Sequence, residues 1–334
     1  MTRTQWQDLI RPSFSTYVLC GVIALLVWLD FAHWDNVCAF ESSSFLFGHI
    51  SPWLSEHPVL SRIADMGVVL GIAYLILSMN ERFSFVRIRT MLPSLCAIVF
   101  YGFMLYPHSF SEESVITLLL FASINAALKC TVDEPYSHTF NIGLLLGIAT
   151  LICPVCFAYL LVFFYFYFNM NVLNLRTFLS TLTGAVVPLI YGCAALVYTG
   201  HELFFIKYLQ SSPDFAPLLP EVSSSETIFL AVVIISTGTA LIYQLLTYQN
   251  ETLKPRRMFS FFIQLLLFSS LMMLFFHSGY GNLMGTTLIL SGMVVGRVLS
   301  MSVSESIIAL WAARIFALLT FGYGVYILFI KDFV

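Results

Sequence analysis

Four polar side chains follow one another at the end of the first apolar segment of the chain. Asp30 and His33 are three residues apart and share a helix face, and Asp35 and Glu41 come after them. Carboxylates in such a place can act as a general base or hold a divalent cation. Asp30, Asp35 and Glu41 are therefore candidate catalytic residues, and His33 is a candidate binding residue. The alternative is a solvated loop with ordinary acidic residues.

A second pattern with chemical potential is Cys153-Pro154-Val155-Cys156. Two cysteines separated by two residues can close a redox-active disulfide, because the backbone keeps both sulfur atoms close together. The pattern predicts a membrane thiol oxidoreductase as one possible function. In the alternative interpretation, the two cysteines are small buried residues on either side of a helix break.

Two further ionisable residues are candidate ligand-binding groups. Arg314 lies inside the last apolar segment, where a charge is costly, although its long side chain can also extend to the membrane surface. His277 begins the sequence His277-Ser-Gly-Tyr-Gly281, whose glycines predict a tight turn between two helices. An ordinary turn residue is the alternative for His277.

These residues belong to a chain of 334 residues, of which 59% are hydrophobic and 10% are charged. A soluble protein of this size has too little polar material to cover so much apolar surface. The composition excludes a soluble enzyme, a nucleic-acid-binding protein and a disordered protein. It predicts a single integral membrane domain over residues 1–334, with membrane lipids as its first partners. We predict no cofactor, no bound metal and no nucleic-acid partner from the sequence.

A helix needs about 20 apolar residues to cross a bilayer. On this criterion the sequence predicts an all-α bundle of about eleven spans. They cover residues 14–34, 64–80, 91–106, 115–129, 139–152, 154–169, 177–199, 226–247, 257–277, 281–299 and 306–330. The fifth and sixth spans come from one apolar run, which is divided because Pro154 removes a backbone donor near its middle. A single kinked, tilted helix over 140–168 is the alternative.

The basic residues give this bundle an orientation. If the N-terminus is cytoplasmic and the spans alternate, most of the 15 Lys and Arg residues fall on the cytoplasmic side, as the positive-inside rule requires. Arg62, Lys207 and Lys331 fall outside, and so does the C-terminus. The two long outer loops are then 35–63 and 200–225, each with amphipathic helices predicted to lie at the membrane interface.

Glycine pairs with three residues between them recur within the predicted spans. They are Gly67/Gly71, Gly143/Gly147, Gly281/Gly285 and Gly292/Gly296. Each pair leaves a bare patch on one helix face, so that another helix backbone can approach closely. The pattern predicts close packing inside the bundle, and homodimerisation is the alternative.

A glycine pair, a helix-breaking proline, a short basic turn and a glycine–proline span follow one another in the middle of the chain. They are Gly143-Leu-Leu-Leu-Gly147, Pro154, Asn174-Leu-Arg176 and Gly184-Ala-Val-Val-Pro188. This pattern resembles an uncharacterised bacterial family of polytopic inner-membrane proteins, a domain of unknown function. The resemblance implies the bacterial cytoplasmic membrane and transfers no catalytic residue.

The arrangement as a whole is similar to the GT-C fold of membrane glycosyltransferases that use polyprenyl-linked sugars. The similarity rests on the number of spans, the long first outer loop with interfacial helices, and an acidic residue near the end of the first span. It implies a catalytic acid among Asp30, Asp35 and Glu41 and a lipid-linked glycan as partner. The sequence departs from that fold because it has no clear Asp-Asp or Asp-x-Asp pair.

Three functional hypotheses follow, and they leave open whether the protein is an enzyme. The first is a non-catalytic subunit or scaffold of a membrane assembly, with a membrane protein as partner. The alternative is a GT-C-like transferase that acts on a polyprenyl-linked substrate at the outer face. The third is a membrane thiol oxidoreductase that uses Cys153 and Cys156.

Overall fold

The computed structural model describes residues 21–22, 51–84, 86, 90–104, 110–131, 135–198, 224–247 and 253–305. These described residues contain helices and no strand, which confirms the all-α class. The helices are α1 (Ser51–Glu56), α2 (Pro58–Phe83), α3 (Leu92–Met104), α4 (Glu112–Lys129), α5 (Pro135–Ile152), α6 (Tyr159–Asn169), α7 (Leu175–Tyr198), α8 (Ser224–Thr247), α9 (Leu253–Phe275) and α10 (His277–Glu305). A short 3-10 helix, Pro154–Ala158, separates α5 from α6.

The helices from α2 to α10 coincide with nine of the predicted spans. Four helical segments among the described residues are long and apolar enough to cross a membrane: Pro58–Phe83, Leu175–Tyr198, Pro255–Met273 and Asn282–Met301. Their length and composition are those of a membrane protein. The first and last predicted spans lie outside the described residues, apart from Gly21 and Val22, which are helical. A total of about eleven spans therefore stays a prediction.

Helical structure begins within the predicted loop 35–63. Residues 51–56 form α1, and α2 begins at Pro58 rather than near residue 64. Proline suits the first turn of a helix, because its fixed φ is already helical and its missing N–H would have no partner there. Residues 35–50 lie outside the described part of the chain, as does all of the second loop before Ser224.

The predicted division of the run 140–168 is confirmed. Helix α5 ends at Ile152, Cys153 has extended backbone angles, and Pro154 begins the 3-10 helix. Tyr167, near the end of α6, lies close to Cys130. The Cys130 thiol in turn donates to the carbonyl of Pro135, the first residue of α5, at 3.9 Å. Helices α5 and α6 are therefore antiparallel, and a single kinked helix is wrong.

The tight glycine turn predicted at 277–281 is also wrong. Helix α9 ends at Phe275, the N–H of Phe276 donates to the Met272 carbonyl at 3.0 Å, and α10 begins directly at His277. The turn is thus made at Phe276, and the glycines belong to the first turns of α10. Glycine in a helix costs about 1 kcal/mol relative to alanine, which the packing of a buried helix can offset.

Helix α10 is the centre of the described bundle. Within its apolar segment 89% of the residues are buried, whereas the corresponding share in α7 is 28%. Helix α10 packs against α3, α4, α8 and α9, and α7 packs mainly against α5. Among the described residues, α7 therefore keeps much of its apolar surface uncovered.

Close approach of helix backbones depends on several of the glycines. An added Cβ at Gly147 would lie 2.5 Å from the carbonyl oxygen of Ala185 in α7, and one at Gly143 would overlap the carbonyl of Thr181. In the same way Gly292 faces Ala97 in α3, with backbone atoms 2.7 Å from an added Cβ. Close packing inside the bundle is thus confirmed for these glycines. An added Cβ at Gly67 or Gly71 meets no atom within 4 Å in the described part of the chain.

The two ends of the described bundle differ in charge. One end, called here the basic end, carries most of the basic residues: Arg82, Lys129, Arg176, Arg256 and Arg257. Contacts between helices stabilise the basic end. Arg257 Nη1 of α9 donates to the carbonyl of Asn169, the last residue of α6, at 3.0 Å. The Arg176 guanidinium of α7 lies 4.1 Å from the ring centre of Tyr136 in α5. Helices α2, α4 and α10 begin at the opposite end.

We expect Gly143→Ala to destabilise the protein, because the new methyl group overlaps the backbone of α7. Overpacking of this kind costs about 1–3 kcal/mol. Thermal unfolding of the detergent-purified chain measures the effect as a lower midpoint. The matched control is Gly71→Ala, where the space is open and the midpoint should stay the same or rise. Equal midpoints for the two variants would contradict the observed α5–α7 packing.

Candidate functional site

The structure describes only part of the sequence-predicted site. Asp30, His33, Asp35, Glu41 and Arg314 lie outside the described residues. His277 is the first residue of α10, and its side chain is not among those that the structure describes. Cys153 and Cys156 are described, and both lie at the end of the bundle opposite the basic end. The structure therefore brings the two cysteines together and leaves the remaining predicted site residues as predictions.

A network of polar side chains occupies this same end of the bundle. Asp65 of α2 accepts two hydrogen bonds on Oδ1, from Ser114 Oγ of α4 at 2.5 Å and from the Tyr101 hydroxyl of α3 at 3.1 Å. The two hydroxyl oxygens are themselves 3.4 Å apart. All three side chains are buried, each at most 2% exposed. A buried carboxylate needs such donors, because burial without them is costly.

Glu113 joins the network to the central helix. Its Oε1 accepts a hydrogen bond from the backbone N–H of Gly285 in α10. Glycine is needed for this approach, since an added Cβ would lie 2.6 Å from Tyr101 Cε2 and 2.7 Å from Glu113 Oε1. Asp65, Tyr101, Glu113 and Ser114 are called the polar cluster below. Together with Gly285, the polar cluster connects α2, α3, α4 and α10.

Further polar contacts surround the polar cluster. Ser61 Oγ accepts the Phe110 N–H at 2.8 Å, which fixes the segment before α4 against α2. One helical turn below Glu113, the hydroxyls of Thr117 and Thr286 lie 3.0 Å apart and link α4 to α10. Arg62 and Glu112 are buried at this end as well. Ionisable residues buried in a membrane bundle are candidates for function, because they are expensive to keep.

The two cysteines form a thiol pair beside the polar cluster. The side chains of Cys153 and Cys156 are close enough to interact with each other, and Cys153 also lies close to Asn282 of α10. The turn is closed by the Cys156 N–H, which donates to the Cys153 carbonyl at 3.0 Å. Both cysteines are free thiols, and Glu112 is close enough to interact electrostatically with Cys153.

This arrangement can do two kinds of chemistry. A carboxylate held by two hydroxyls is a proton acceptor with a fixed orientation, and it also locks the helices that supply the donors. Two adjacent thiols can be oxidised to a disulfide. Within the described residues, no group of three His, Cys, Asp or Glu side chains could hold a metal ion.

The polar cluster is separate from the site predicted from the sequence. None of Asp65, Tyr101, Glu113 and Ser114 is among the candidate residues named there. A signal was present, because Ser111-Glu112-Glu113-Ser114 combines a helix start with two acids at the edge of an apolar run. The predicted topology already placed this segment and Asp65 at the same end.

Comparisons with protein-family models, with curated proteins and with solved structures give no match to this chain. The resemblances to a bacterial inner-membrane family and to GT-C transferases therefore stay predictions from the sequence.

We expect the hydrogen bonds to Asp65 to show as energetic coupling. Tyr101→Phe removes one donor and should cost about 1 kcal/mol, whereas Asp65→Ala leaves two buried hydroxyls without their acceptor and should cost about 1–3 kcal/mol. Tyr101→Phe should therefore lower the free energy of unfolding less in the Asp65→Ala chain than in the native chain. Denaturant unfolding in detergent measures the three values.

The control for this cycle is Tyr74→Phe in α2, because Tyr74 is 67% exposed. It should change stability little in either background. If the effects of Tyr101→Phe and Asp65→Ala simply add, the hydroxyl of Tyr101 does not bond to Asp65 in the protein in solution.

Proposed function

We propose that this chain is a multi-pass protein of the bacterial cytoplasmic membrane that serves as a non-catalytic subunit or scaffold of a membrane assembly. It would have about eleven spans, a cytoplasmic N-terminus and a C-terminus outside. In this orientation the basic end faces the cytoplasm, which agrees with the positive-inside rule, and the polar cluster lies near the outer face.

The polar cluster is the observation that carries the scaffold role. Its carboxylates accept hydrogen bonds from groups of the chain itself, and these bonds join four helices. Hydrogen bonds of this kind between helices stabilise a membrane bundle, by about 0.6 kcal/mol on average and up to about 2 kcal/mol. A bundle locked at one end is suited to present a fixed surface to a partner.

Helix α7 supplies a surface of this kind. Its exposed side chains are mainly large and apolar and include Leu179, Ile190, Tyr191 and Tyr198, all at least half exposed. Such a surface takes lipid or the apolar face of another membrane protein. The partners that this function implies are thus membrane lipids and a membrane protein.

A GT-C-like transferase for a polyprenyl-linked substrate is the second candidate. It is favoured by the position of Asp65, Glu112 and Glu113, which gather at the end of the bundle to which the first predicted outer loop connects. In this reading Asp30, Asp35 or Glu41 of that loop region supplies the catalytic acid or base. The hydrogen bonds of the polar cluster would then hold the helices that flank the site.

Purification in a mild detergent separates the two candidates. The scaffold role predicts that the native chain brings down a second membrane protein in a fixed ratio, and that Ile190→Trp on the open face of α7 weakens this capture. Ile289→Val, a conservative change within α10, is the control and should leave capture unchanged.

A lone monodisperse chain would contradict the scaffold role. If, in addition, Asp30→Ala, Asp35→Ala or Glu41→Ala altered the envelope glycans of the host, the transferase would be the better account. Three silent variants would remove the transferase as described.

A further inference from the structure

One side of the 3-10 helix and of α6 carries a stripe of exposed apolar and aromatic side chains. Phe157, Leu161, Tyr165 and Phe168 follow one another at helical spacing, and each is between 45% and 67% exposed. They are called the α6 stripe below. From Phe157 to Phe168 the helix rises about 17 Å, close to half of the roughly 30 Å hydrocarbon thickness of a bilayer. The length of the stripe therefore matches the acyl chain of a lipid in one leaflet.

The other faces of α6 are packed against two neighbouring helices. The Phe164 ring lies 4.7 Å from the Phe178 ring of α7, measured between centroids. The Phe166 ring is stacked on the Phe261 ring of α9, with centroids 4.2 Å apart. Phe178 is in the first turn of α7, so these contacts bring the beginnings of α7 and α9 to the end of α6 that belongs to the basic end.

Each of these two helices holds an exposed arginine at the basic end of the α6 stripe. Arg257 of α9 donates from Nη1 to the Asn169 carbonyl, one residue beyond Phe168, at 3.0 Å. Arg176 of α7 lies over the Tyr136 ring, 4.1 Å from its centre. A carbonyl and an aromatic ring carry no net charge, so these contacts hold the two guanidinium groups in place without neutralising them.

The helices around the α6 stripe contain basic residues and no acidic ones. Residues 135–198 and 253–275 have no Asp or Glu, and their Lys and Arg residues are Arg176, Lys254, Arg256 and Arg257. The nearest acidic residues along the chain lie outside the described residues and are Asp133, Glu134 and Glu251. A guanidinium binds phosphate oxygens through paired hydrogen bonds, and basic groups beside membrane helices bind anionic lipid head groups. Charge complementarity therefore favours a lipid with a net negative head group.

We propose that Arg176 and Arg257 bind the head group of an anionic phospholipid whose acyl chain lies along the α6 stripe. The two guanidinium groups select the negative charge, and the exposed aromatic and aliphatic side chains hold the apolar part of the lipid. This site is separate from the open face of α7. The proposal goes beyond the scaffold role and requires only that the chain lies in a bilayer.

The test measures lipid binding to the full chain, purified in detergent and freed of its lipids. Native mass spectrometry counts bound dioleoylphosphatidylglycerol, and the thermal unfolding midpoint is followed as this lipid is added. The expected result is one tightly bound molecule per chain and a raised midpoint. Dioleoylphosphatidylcholine has the same acyl chains and a zwitterionic head group, and it should bind about tenfold more weakly. Glycerol 3-phosphate has the negative charge without acyl chains and should give no shift.

Arg176→Gln and Arg257→Gln should each weaken phosphatidylglycerol binding by about fivefold and leave phosphatidylcholine binding unchanged. The matched control is Arg82→Gln, because Arg82 is exposed at the basic end but belongs to α2, which packs against α3 and α4. This variant should keep the native affinity. The midpoint without lipid shows whether each variant is folded. Arg176→Lys and Arg257→Lys keep the positive charge and should retain most of the preference for phosphatidylglycerol.

Equal affinity for the two phospholipids would overturn the proposal, and so would native affinity for phosphatidylglycerol in both Gln variants. An equal midpoint shift with glycerol 3-phosphate would overturn the lipid and assign a soluble anion to the site. If Arg82→Gln lost as much affinity as Arg176→Gln, the attraction would belong to the whole basic end, and the assigned site would be wrong.

Capture of a membrane partner tests the scaffold role separately. A chain that captures its partner but binds both phospholipids equally would lose only the lipid site, and the converse result would lose only the scaffold role.

Discussion

Polar groups inside an apolar bundle must find their partners within the protein, and this constraint shapes the end of the bundle that holds Asp65. Its carboxylate takes hydroxyl donors from two other helices, and Glu113 takes a backbone N–H from a fourth. A carboxylate left without these donors would cost more than the bonds themselves contribute. The relative positions of α2, α3, α4 and α10 follow from this requirement as much as from apolar packing.

Small residues make the same arrangement possible sterically. Gly285 lets a carboxylate reach the backbone of the central helix, and Gly292 lets α3 lie against that helix a few turns further on. The central helix thus meets its neighbours through bare backbone, and its buried share is correspondingly high. Packing and hydrogen bonding therefore favour the same helix contacts. Such mutually supportive interactions are expected of a sequence that specifies one fold.

Much of the helical framework could be predicted from the sequence, because hydropathy and proline are local signals. The helix break at Pro154 and the positions of α2 to α10 belong to this part. The polar cluster could not be predicted in the same way, since Asp65 and Ser114 are 49 residues apart and hydropathy does not tell which helix faces meet. The partner of Glu113 is a backbone N–H at a glycine, which has no side-chain signature. Helix α2 begins at Pro58, before the predicted span, because proline is as common in loops as in the first turn of a helix.

The central claim is that the polar cluster and the thiol pair lie near the outer face of the membrane while the basic end faces the cytoplasm. It is tested by placing single cysteines at two exposed positions at opposite ends, Glu56→Cys and Ser137→Cys, in a chain whose seven native cysteines are replaced. The account predicts that a membrane-impermeant maleimide labels Glu56→Cys in intact spheroplasts and labels Ser137→Cys only after the membrane is opened. Labelling of Ser137→Cys in intact spheroplasts, with Glu56→Cys protected, would contradict it.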